Sequence, residues 1–547
     1  MPPKKVIEFA WDENEDFEKI SEMMQTAAGE DTLKKLGPIS DEEFNFYMEK
    51  WSMPTLSKTD YILFRDCAKN TWIKNHLPAV YFASELSEFE QHIIETGNEV
   101  ELVARELFPG GVLVEGRGVV GQKLTTELIA AQTPVLFQPV FVQDNFLAAV
   151  DILRFDPVAH GWEIFEVKAS NEIDAKVHLY DLAFQVVLLR KCGLNITGIN
   201  LLHLNKEYVR GASLNIEQLF TIADVRAEIA AIIPEVELEM VEALKYLNQT
   251  AEPFGPCSCI YKGRSNHCTT FAHNNPQVPE YSVHDLSRIG NSKAKLAELM
   301  DTSVFQVQEV PEDFKLSANQ RNQVDAHVYD KILSHPDQIA AELGALEYPL
   351  YFIDYETFPP AVPLFAGFKP YQQIPFQYSL YVVDGPEAEP RHLEFIYTRA
   401  GDPSKEFAAS LAGHIGEQGN VVVWNKKFEC MINKELGERL PEYTPFMESL
   451  NDRVFDLMEI FSKQLFVHKD FRGSASIKKV LPVMVPELSY KTLAIQEGGA
   501  ASKTWHNIVS GKYTAEEAAE MTQNLKVYCG LDTYAMYAIW QKLLKIK

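Results

Sequence analysis

Two acids and a lysine fall close together in the stretch FLAAVDILRFDPVAHGWEIFEVKAS. Glu166 and Lys168 are two residues apart on a β-rich run, so they project from the same face of a strand. Asp151 lies on the preceding run, and a hairpin that turns after Asp156 brings it beside Glu166. Two carboxylates can hold a divalent cation while a lysine orients or activates the attacking water. The pattern predicts phosphodiester cleavage; the alternative is a solvent-facing Glu–Lys pair on an ordinary strand.

A second set of chemically capable residues lies in the C-terminal part of the chain. Asp354 and Glu356 share one face of the strand YPLYFIDYETF, so both carboxylates can serve one metal site. Glu429 follows the run VVVWN at the start of a predicted helix. Tyr528 and Asp532 are four residues apart and therefore lie on one face of a C-terminal helix. Taken singly, each piece also fits solvated acids or a packing tyrosine.

Cysteine placement indicates a third site. Seven cysteines in 547 residues are too few for a disulfide framework. Three of them, Cys257, Cys259 and Cys268, nevertheless fall within twelve residues, whereas the other four are scattered. This spacing suits a metal site, and the alternative is a set of buried free thiols.

The elements that must position the N-terminal residues can be predicted from periodicity. Phe146–Phe155 and Trp162–Lys168 are predicted strands, and PVLFQPVFV is a further strand before them. Lys176–Cys192 has helical periodicity, with Gly193 as its C-cap. The strand ITGINLLHL follows. The predicted order is therefore strand, strand, helix, strand.

Composition and charge limit the class of protein. Hydrophobic residues make up 46% of the chain and charged residues 23%, as expected for a globular protein with real cores. The net charge of −26 argues against a basic coat that wraps nucleic acid, but a nuclease needs only acid clusters and a local basic track. The absence of a long apolar run or a signal peptide predicts a cytoplasmic protein that does not enter membranes.

Four segments are expected from changes in composition. Residues 1–50 are acidic and predicted to form short helices, and residues 51–275 form a first folded block. Residues 276–345 are predicted to be a helical linker, and residues 346–547 form a second block.

The first block resembles PD-(D/E)XK nucleases of the RecB type. The resemblance lies in Asp151, the Glu166-Val-Lys168 motif and the following helix, whose D-x-x-x-Q contains Gln185. It implies a restriction-endonuclease-like core in which Asp151 and Glu166 bind Mg²⁺ or Mn²⁺. Leu189 stands where the family usually has tyrosine. The family's upstream glycine and acid correspond to Gly97 and Glu101.

Iron–sulfur members of the RecB-type family, such as the AddB-like and CRISPR-associated nucleases, place one cysteine before the nuclease core and three after it. By this resemblance Cys67, Cys257, Cys259 and Cys268 would bind a [4Fe–4S] cluster, with Zn²⁺ as the alternative. The tight C-x-C spacing departs from the family. His267 is a candidate to replace one thiolate.

The second block resembles DEDD exonucleases of the DnaQ-like, ribonuclease-H-type fold, in the subgroup with tyrosine. Asp354, Glu356, Glu429 and Asp532 would then hold two Mg²⁺ or Mn²⁺ ions, and Tyr528 would orient the attacking water. Glu429 stands where the family has Asp, which makes Asp456 a reserve candidate. Between these motifs, SKQLFVHKDFRGSASIKKV carries five Lys or Arg. It is expected to be a mobile loop that forms either a phosphate track or a solvated surface.

The combination resembles a bacterial family that fuses an iron–sulfur RecB-type nuclease to a DnaQ-like domain. It implies a metal-dependent deoxyribonuclease with two active sites, the second a 3′–5′ exonuclease, serving DNA repair or defence. One alternative is an RNA-processing exonuclease. The other is a nucleic-acid-binding scaffold with one inactive nuclease core. DNA is favoured over RNA as the partner, and protein partners cannot be predicted.

Overall fold

Two mixed β-sheets flanked by helices dominate the computed structural model, which describes residues 55–83, 88–116 and 118–546. The mixed α/β class expected from the sequence is confirmed. The short helices predicted for residues 1–50 lie outside the described residues. Within the described residues, no helix is long and apolar enough to cross a membrane.

The strands are numbered along the chain. They are β1 Leu56–Ser57, β2 Val112–Leu113, β3 Val135–Phe137, β4 Val140–Gln143, β5 Phe146–Ala149, β6 Ile152–Asp156, β7 Gly161–Lys168, β8 Ile196–Leu204, β9 Phe220–Asp224, β10 Leu333–Ser334, β11 Leu350–Phe358, β12 Ile374–Val383, β13 Arg391–Ile396, β14 Asn420–Val423, β15 Val454–Asp456 and β16 Phe466–Val467.

The α-helices are numbered in the same way. They are α1 Lys58–Asp66, α2 Ala68–His76, α3 Pro78–Tyr81, α4 Glu88–Arg105, α5 Gly118–Ala130, α6 His178–Lys191, α7 Ile216–Leu219, α8 Arg226–Leu247, α9 Phe271–Asn274, α10 Lys293–Asp301, α11 Ala318–Val328, α12 Pro336–Gly344, α13 Ser404–His414, α14 Lys426–Arg439, α15 Thr444–Asp452, α16 Glu459–Ser462, α17 Ile477–Met484, α18 Gly498–Val509 and α19 Ala515–Leu543.

The N-terminal sheet has the strand order β2-β3-β6-β7-β8-β9. The predicted hairpin is present, since β6 and β7 pair antiparallel and Asp156 lies opposite Gly161. Strands β7 and β8 pair in parallel, which requires a crossover, and the buried apolar helix α6 supplies it. Gly193 follows this helix with a φ of 82°, so it caps the helix in the left-handed conformation as predicted.

Two of the predicted strands are interrupted, and both predictions of a continuous strand were wrong. The run Phe146–Phe155 divides into β5 and β6 around Asp151. The run PVLFQPVFV divides into β3 and β4 at Gln138, which has a φ of 53°, and Pro139, which has no N–H to donate to a ladder. As a result, β4 and β5 join β1 in a separate three-stranded sheet.

The C-terminal sheet has the order β13-β12-β11-β14-β15. Its central strand β11 is antiparallel to β12 and parallel to β14. Tyr351, Ile353 and Tyr355 pack in a core that includes residues of α13, α14 and α15, whereas Phe352 packs in a core that includes α18 and α19. Because side chains alternate along a strand, the acids at positions 354 and 356 face the second group of helices.

The predicted helical region 276–345 contains α10, α11 and α12. The 3₁₀ turns Val283–Asp285 and Ile289–Asn291 precede α10, and Val307–Glu309 lies between α10 and α11. Helix α11 begins at a capping box, in which the Ser317 hydroxyl accepts from the Gln320 N–H at 3.3 Å and the Gln320 side chain accepts from the Ser317 N–H. The cores of this region also include the four clustered cysteines. The region therefore packs as part of the folded body.

The halves that carry the two sheets are in direct contact, and the chain from Leu56 onward forms one compact unit. Leu202 and Leu204 of β8 share a hydrophobic cluster with Ala361 and Val362, which follow β11. The Tyr371 hydroxyl donates to the carbonyl oxygen of Ala169 at 2.6 Å. This contact falls on the residue directly after Lys168.

Gly419 provides a test of the turn that leads into β14. It has a φ of 85°, and a Cβ atom there would lie 2.0 Å from the carbonyl oxygen of Pro349. We expect Gly419→Ala to destabilise the protein by about 2 kcal/mol or more, because both the left-handed backbone and the contact oppose it. Gly413→Ala, at an open position in α13, is the control and should leave stability unchanged or slightly higher. Equal melting temperatures for the two variants would contradict this account of the turn.

Candidate functional site

The four residues predicted for the N-terminal site meet at β7 and α6. The Lys168 Nζ lies 2.9 Å from Oε1 of Glu166, and Gln185 donates from Nε2 to Oε2 of Glu166 at 2.8 Å. Asp151 joins them because its Oδ2 accepts from the Val167 N–H at 2.8 Å. Both Asp151 and Glu166 are buried. The interruption before β6 thus directs Asp151 toward the backbone of β7.

Two further charged residues complete this site. Asp181 of α6 places Oδ2 2.5 Å from the Lys168 Nζ. Lys58, the first residue of α1, places its Nζ 3.1 Å from Oε1 of Glu166 and 3.7 Å from Oδ1 of Asp151. Sequence reasoning missed Lys58. Its one sequence signal is a position at the start of a capped helix, and this gives no information on a partner 108 residues away.

The predicted upstream acid also reaches this site. Gln138 donates from Nε2 to Glu101 at 2.7 Å and to Asp151 at 3.2 Å, so one amide bridges the two acids. The glycine paired with it in the motif, Gly97, would meet no atom within 4 Å if it carried a Cβ. Leu189, at the family's tyrosine position, is fully buried in the core of the sheet and does not reach the acids.

The electrostatic environment shifts the pKa values of Asp151 and Glu166 in opposite directions. Burial and the neighbouring Glu166 carboxylate raise the pKa of Asp151 to about 7. Burial opposes ionisation of Glu166 as well, but Lys168 and Lys58 together hold its pKa well below the usual range. Burial of Lys58 and Lys168 lowers their pKa values, but the neighbouring carboxylates raise them by more, so both pKa values lie above the usual range. At neutral pH the site therefore contains an ionised Glu166 between two ammonium groups.

The predicted acids of the C-terminal site come from three elements. Asp354 and Glu356 lie on β11, Glu429 lies in the first turn of α14, and Asp532 lies on α19. The negative charges of Asp532, Glu356 and Glu429 all act on Asp354, so the structure brings the four together. No lysine or arginine of the described residues forms an ion pair with any of them.

Two tyrosines line the Asp532 side of this cluster. The Tyr490 hydroxyl donates to Oδ1 of Asp532, and the predicted Tyr528 also interacts with that carboxylate. Sequence reasoning missed Tyr490 because it lies in a 3₁₀ turn, Tyr490–Thr492, and belongs to none of the three sequence motifs. The Cys529 thiol is a further neighbour, with Sγ and the carboxylates of Asp354 and Glu356 all within 4.8 Å of one another.

The structure favours Glu429 over the reserve candidate Asp456. Both oxygens of Asp456 are used locally, because Oδ2 accepts from the Lys426 N–H at 3.1 Å and Oδ1 accepts from the Met458 N–H at 3.0 Å. Glu429 is buried, and its Oε2 has no hydrogen-bond partner among the described residues. A buried oxygen without a partner is costly unless a cation or a proton occupies it.

Burial raises the pKa values of this cluster by more than the nearby Lys478 lowers them. The pKa of Glu429 rises to about 8 through burial and the nearby Asp456. Burial raises the pKa of Asp532 to about 6, although the two tyrosines act in the opposite direction. The pKa values of Asp354 and Glu356 rise well above the usual range through burial and through repulsion from the Asp532 carboxylate. The cluster therefore holds protons near neutral pH.

The basic segment between the motifs differs from the predicted mobile loop. It contains β16, a 3₁₀ turn at Lys469–Phe471 and helix α17, so the prediction of a loop was wrong. Three of its five basic residues form surface ion pairs, namely Lys463 with Glu459, Lys469 with Asp330 and Arg472 with Glu280. Lys478 on α17 acts electrostatically on both Asp532 and Glu356.

The four cysteines named by the resemblance converge on one buried site. Their Sγ atoms all lie within 4.8 Å of one another, and those of Cys257 and Cys268 are 3.8 Å apart. Cys67 is the junction of α1 and α2, whereas the other three lie between α8 and α9. The cluster therefore joins the start of the first block to its end.

Polar contacts favour a thiolate at Cys257, whereas hydrogen bonds to Cys257 raise the pKa of Cys67 and Cys268 above the usual value. Asn275 donates from Nδ2 to the Cys257 Sγ at 3.3 Å, and hydrogen bonds from Cys259, Cys268 and Cys67 hold the pKa of Cys257 well below its usual value. The group of ligand atoms within 4.8 Å consists of the four cysteines and does not include His267, so a histidine is not needed in place of a cysteine. The His267 Nε2 donates to the carbonyl oxygen of Lys262 at 3.0 Å.

The donor set fits a metal centre, and the two candidates differ in size. Zn–S bonds of about 2.3 Å place the sulfurs of a tetrahedral site about 3.8 Å apart, as observed for one pair here. A [4Fe–4S] cluster assigns each cysteine to a different iron, so its sulfurs must lie farther apart. The observed spacing matches a single ion, and the resemblance implies the cluster.

Comparison with known proteins gives a partial match. Residues 351–476 match the family model described as "Domain of unknown function (DUF2779)". A Mycoplasma pneumoniae protein, "Uncharacterized protein MG366 homolog", is 30% identical over 210 residues, which cover 35% of this chain and 32% of that protein. The Ureaplasma parvum "Uncharacterized protein UU173" is 26% identical over 223 residues, covering 37% and 32% respectively. The alignments thus span about a third of each relative's length. The matched family range includes Asp354, Glu356 and Glu429.

The cysteine site predicts bound metal in the purified protein. We expect about one zinc per chain, or about four irons with broad visible absorption, measured by elemental analysis after anaerobic purification. Cys257→Ser should lose this metal and melt at a lower temperature, because the ligands join the two ends of the block. Cys192→Ser, outside the cluster, is the control. Wild-type protein that contains neither metal would exclude both centres.

The C-terminal acids predict a specific dependence of stability on pH. Because their pKa values are raised, the folded state binds more protons than the unfolded state between pH ~4 and pH ~8. Without divalent cations, stability should fall as pH rises through this window. Mn²⁺ should therefore raise the melting temperature more at pH 8.5 than at pH 6.

A matched variant separates this effect from the general repulsion of an acidic chain. Glu429→Gln removes one buried titrating acid while it keeps the size of the side chain. Its melting temperature should fall less between pH 6 and pH 8.5 than that of the wild type. Parallel curves for the two proteins would show that Glu429 does not carry the raised pKa.

Proposed function

We propose that this protein is a metal-dependent nuclease that hydrolyses phosphodiester bonds of DNA at two active sites, the C-terminal one a 3′–5′ exonuclease. The observation that carries the proposal is the convergence of three buried acids, Glu356, Glu429 and Asp532, on the partly buried Asp354, without a lysine or arginine ion-pair partner among the described residues. Buried like charges are costly. A pair of divalent cations would neutralise them and is a known catalyst of phosphoryl transfer.

The arrangement of strands and helices supports finer assignments of fold. The β6–β7 hairpin, the crossover helix α6 and the parallel strand β8 are the elements expected of a PD-(D/E)XK core. In the C-terminal sheet, the central strand β11 lies between antiparallel β12 and parallel β14, and this arrangement is expected of a ribonuclease-H-like domain. We propose both folds, with residues 276–345 as the segment between them.

In the N-terminal site, Asp151 and Glu166 would hold Mg²⁺ or Mn²⁺, which supplies Lewis-acid stabilisation of the phosphate when bound. Gln185 orients Glu166, because its amide N–H donates to Oε2 of that carboxylate. Lys168 lies at hydrogen-bond distance from Glu166, where its ammonium can hold the attacking water. Asp181 fixes that ammonium from the opposite side.

In the C-terminal site, Asp354, Glu356, Glu429 and Asp532 would be the metal ligands. Tyr490 holds Asp532 in place by its hydroxyl. Tyr528, beside the same carboxylate, is placed to orient the attacking water. Joint binding of metal ions would explain why acids that resist ionisation lie together in this site.

Two alternatives to this function differ from it in the substrate or in whether both sites are active. RNA in place of DNA would make the protein an RNA-processing exonuclease. A nucleic-acid-binding scaffold with one inactive core would retain binding and lose cleavage at one site. End-labelled single- and double-stranded DNA and RNA, each with Mg²⁺, Mn²⁺ or EDTA, separate these functions in one assay.

Substitutions distinguish the two active sites. Asp354→Ala should reduce release of mononucleotides from a 3′ end by about 100-fold or more, since even outer partners of a metal site are worth 10–100-fold. Tyr528→Phe should cost about tenfold, because one hydrogen bond is lost while the ligands remain. Cleavage that remains in Asp354→Ala, including cleavage of 3′-blocked DNA, should disappear when Lys168→Ala is added.

The control is Asp384→Ala, which removes an exposed acid from the same half of the chain. It should cleave like the wild type. Unchanged 3′ release in Asp354→Ala would exclude the C-terminal acids as the exonuclease and leave the scaffold as the better interpretation of that half.

A further inference from the structure

The ammonium group of Lys58 occupies the space between the two acids of the N-terminal site. It lies 3.1 and 3.4 Å from the two oxygens of Glu166 and 3.7 Å from Oδ1 of Asp151. A magnesium ion bound by both carboxylates would lie about 2.1 Å from an oxygen of each. The ammonium and such an ion would therefore fall in nearly the same place, and two cations cannot share it.

Backbone contacts hold Lys58 beside this site, and its side chain is partly exposed. Leu56 pairs with Phe146 in the parallel ladder of β1 and β5, which fixes the chain just before the lysine. The Ser57 hydroxyl then accepts from the Asp60 N–H at 3.0 Å and caps α1. The side chain of Lys58 is 21% exposed, so a path to solvent exists.

Lys58 and Lys168 differ in how firmly they are held. Lys168 bonds to both Glu166 and Asp181, and it would keep Asp181 as a partner if a cation took over Glu166. Lys58 contacts only Glu166 and Asp151 among the described acids. A cation bound by those two acids would thus remove every ion pair that Lys58 makes there.

We infer that Lys58 is the resident counter-ion of the N-terminal site and that a divalent cation must displace it in order to bind, an inference that rests on the metal-binding role proposed above for Asp151 and Glu166. Lys58 balances the charge of the buried acids when no metal is bound. It also weakens metal binding, so it sets the concentration of Mg²⁺ or Mn²⁺ at which the site fills.

The test is the affinity of the N-terminal site for Mn²⁺, measured by titration calorimetry in the full chain. Asp354→Asn and Glu356→Gln are added to every protein to suppress binding at the C-terminal site. Lys58→Met should bind Mn²⁺ roughly 10- to 100-fold more tightly, the equivalent of a hydrogen bond between charged groups. Without Mn²⁺, Lys58→Met should also melt at a lower temperature, and Mn²⁺ should restore it.

Two further variants keep the test decisive. Lys58→Gln retains a hydrogen-bond donor without the charge and replaces Lys58→Met if the latter does not fold. Lys206→Met removes a lysine that pairs with the exposed Glu172 in the same block, and it should bind Mn²⁺ like the parent protein. An affinity for Mn²⁺ that is unchanged or weaker in the folded Lys58 variant overturns the inference, as does the absence of Mn²⁺ binding in both proteins.

DNA cleavage in the same proteins separates this inference from the proposed function. Tighter Mn²⁺ binding in Lys58→Met without cleavage by any protein would support the counter-ion and refute the nuclease activity of this site. Cleavage that requires Lys168, combined with Mn²⁺ affinity that is independent of Lys58, would give the opposite result.

Discussion

Buried carboxylates must be neutralised, and the two acid clusters of this protein meet that requirement differently. In the N-terminal cluster, Lys58 and Lys168 both lie within 3.1 Å of Glu166, so the acid remains ionised in a buried site. In the C-terminal cluster, protons neutralise acids such as Glu429, whose pKa rises to about 8. If both clusters bind metal as proposed, Glu166 of the first is already ionised and paired with lysines, whereas the second would have to release protons.

Both clusters are built in the same way. A strand holds two charged residues at alternate positions, and neighbouring helices contribute the other polar side chains of the cluster. Strand β7 fixes Glu166 and Lys168, and α6 adds Gln185. Strand β11 likewise fixes Asp354 and Glu356 on the face toward the C-terminal helices. Strands give precise spacing between alternate residues, and packed helices keep the remaining groups at a fixed distance. The two clusters therefore share this arrangement of strand and helix residues, although they lie on different sheets.

Sequence reasoning succeeded where residues of one element share a face. It predicted the Glu166–Lys168 pair, and it predicted β8 with the bounds that the structure has. It failed where the partner of an acid lies far away in the sequence, because Lys58 and Tyr490 belong to none of the spaced motifs. It also missed the break at Asp151, since an apolar run does not show where a strand leaves one sheet for another.

The contact between the two halves limits how the two proposed activities can be tested separately. Removal of residues 346–547 would expose Leu202 and Leu204, which share a cluster with Ala361 and Val362. It would also remove the Tyr371 hydroxyl that holds the carbonyl of the residue after Lys168. A truncated chain that does not cleave DNA would therefore not distinguish lost packing from lost chemistry. Point substitutions in the full chain change one site while this contact stays intact, so only they can assign cleavage to one set of acids.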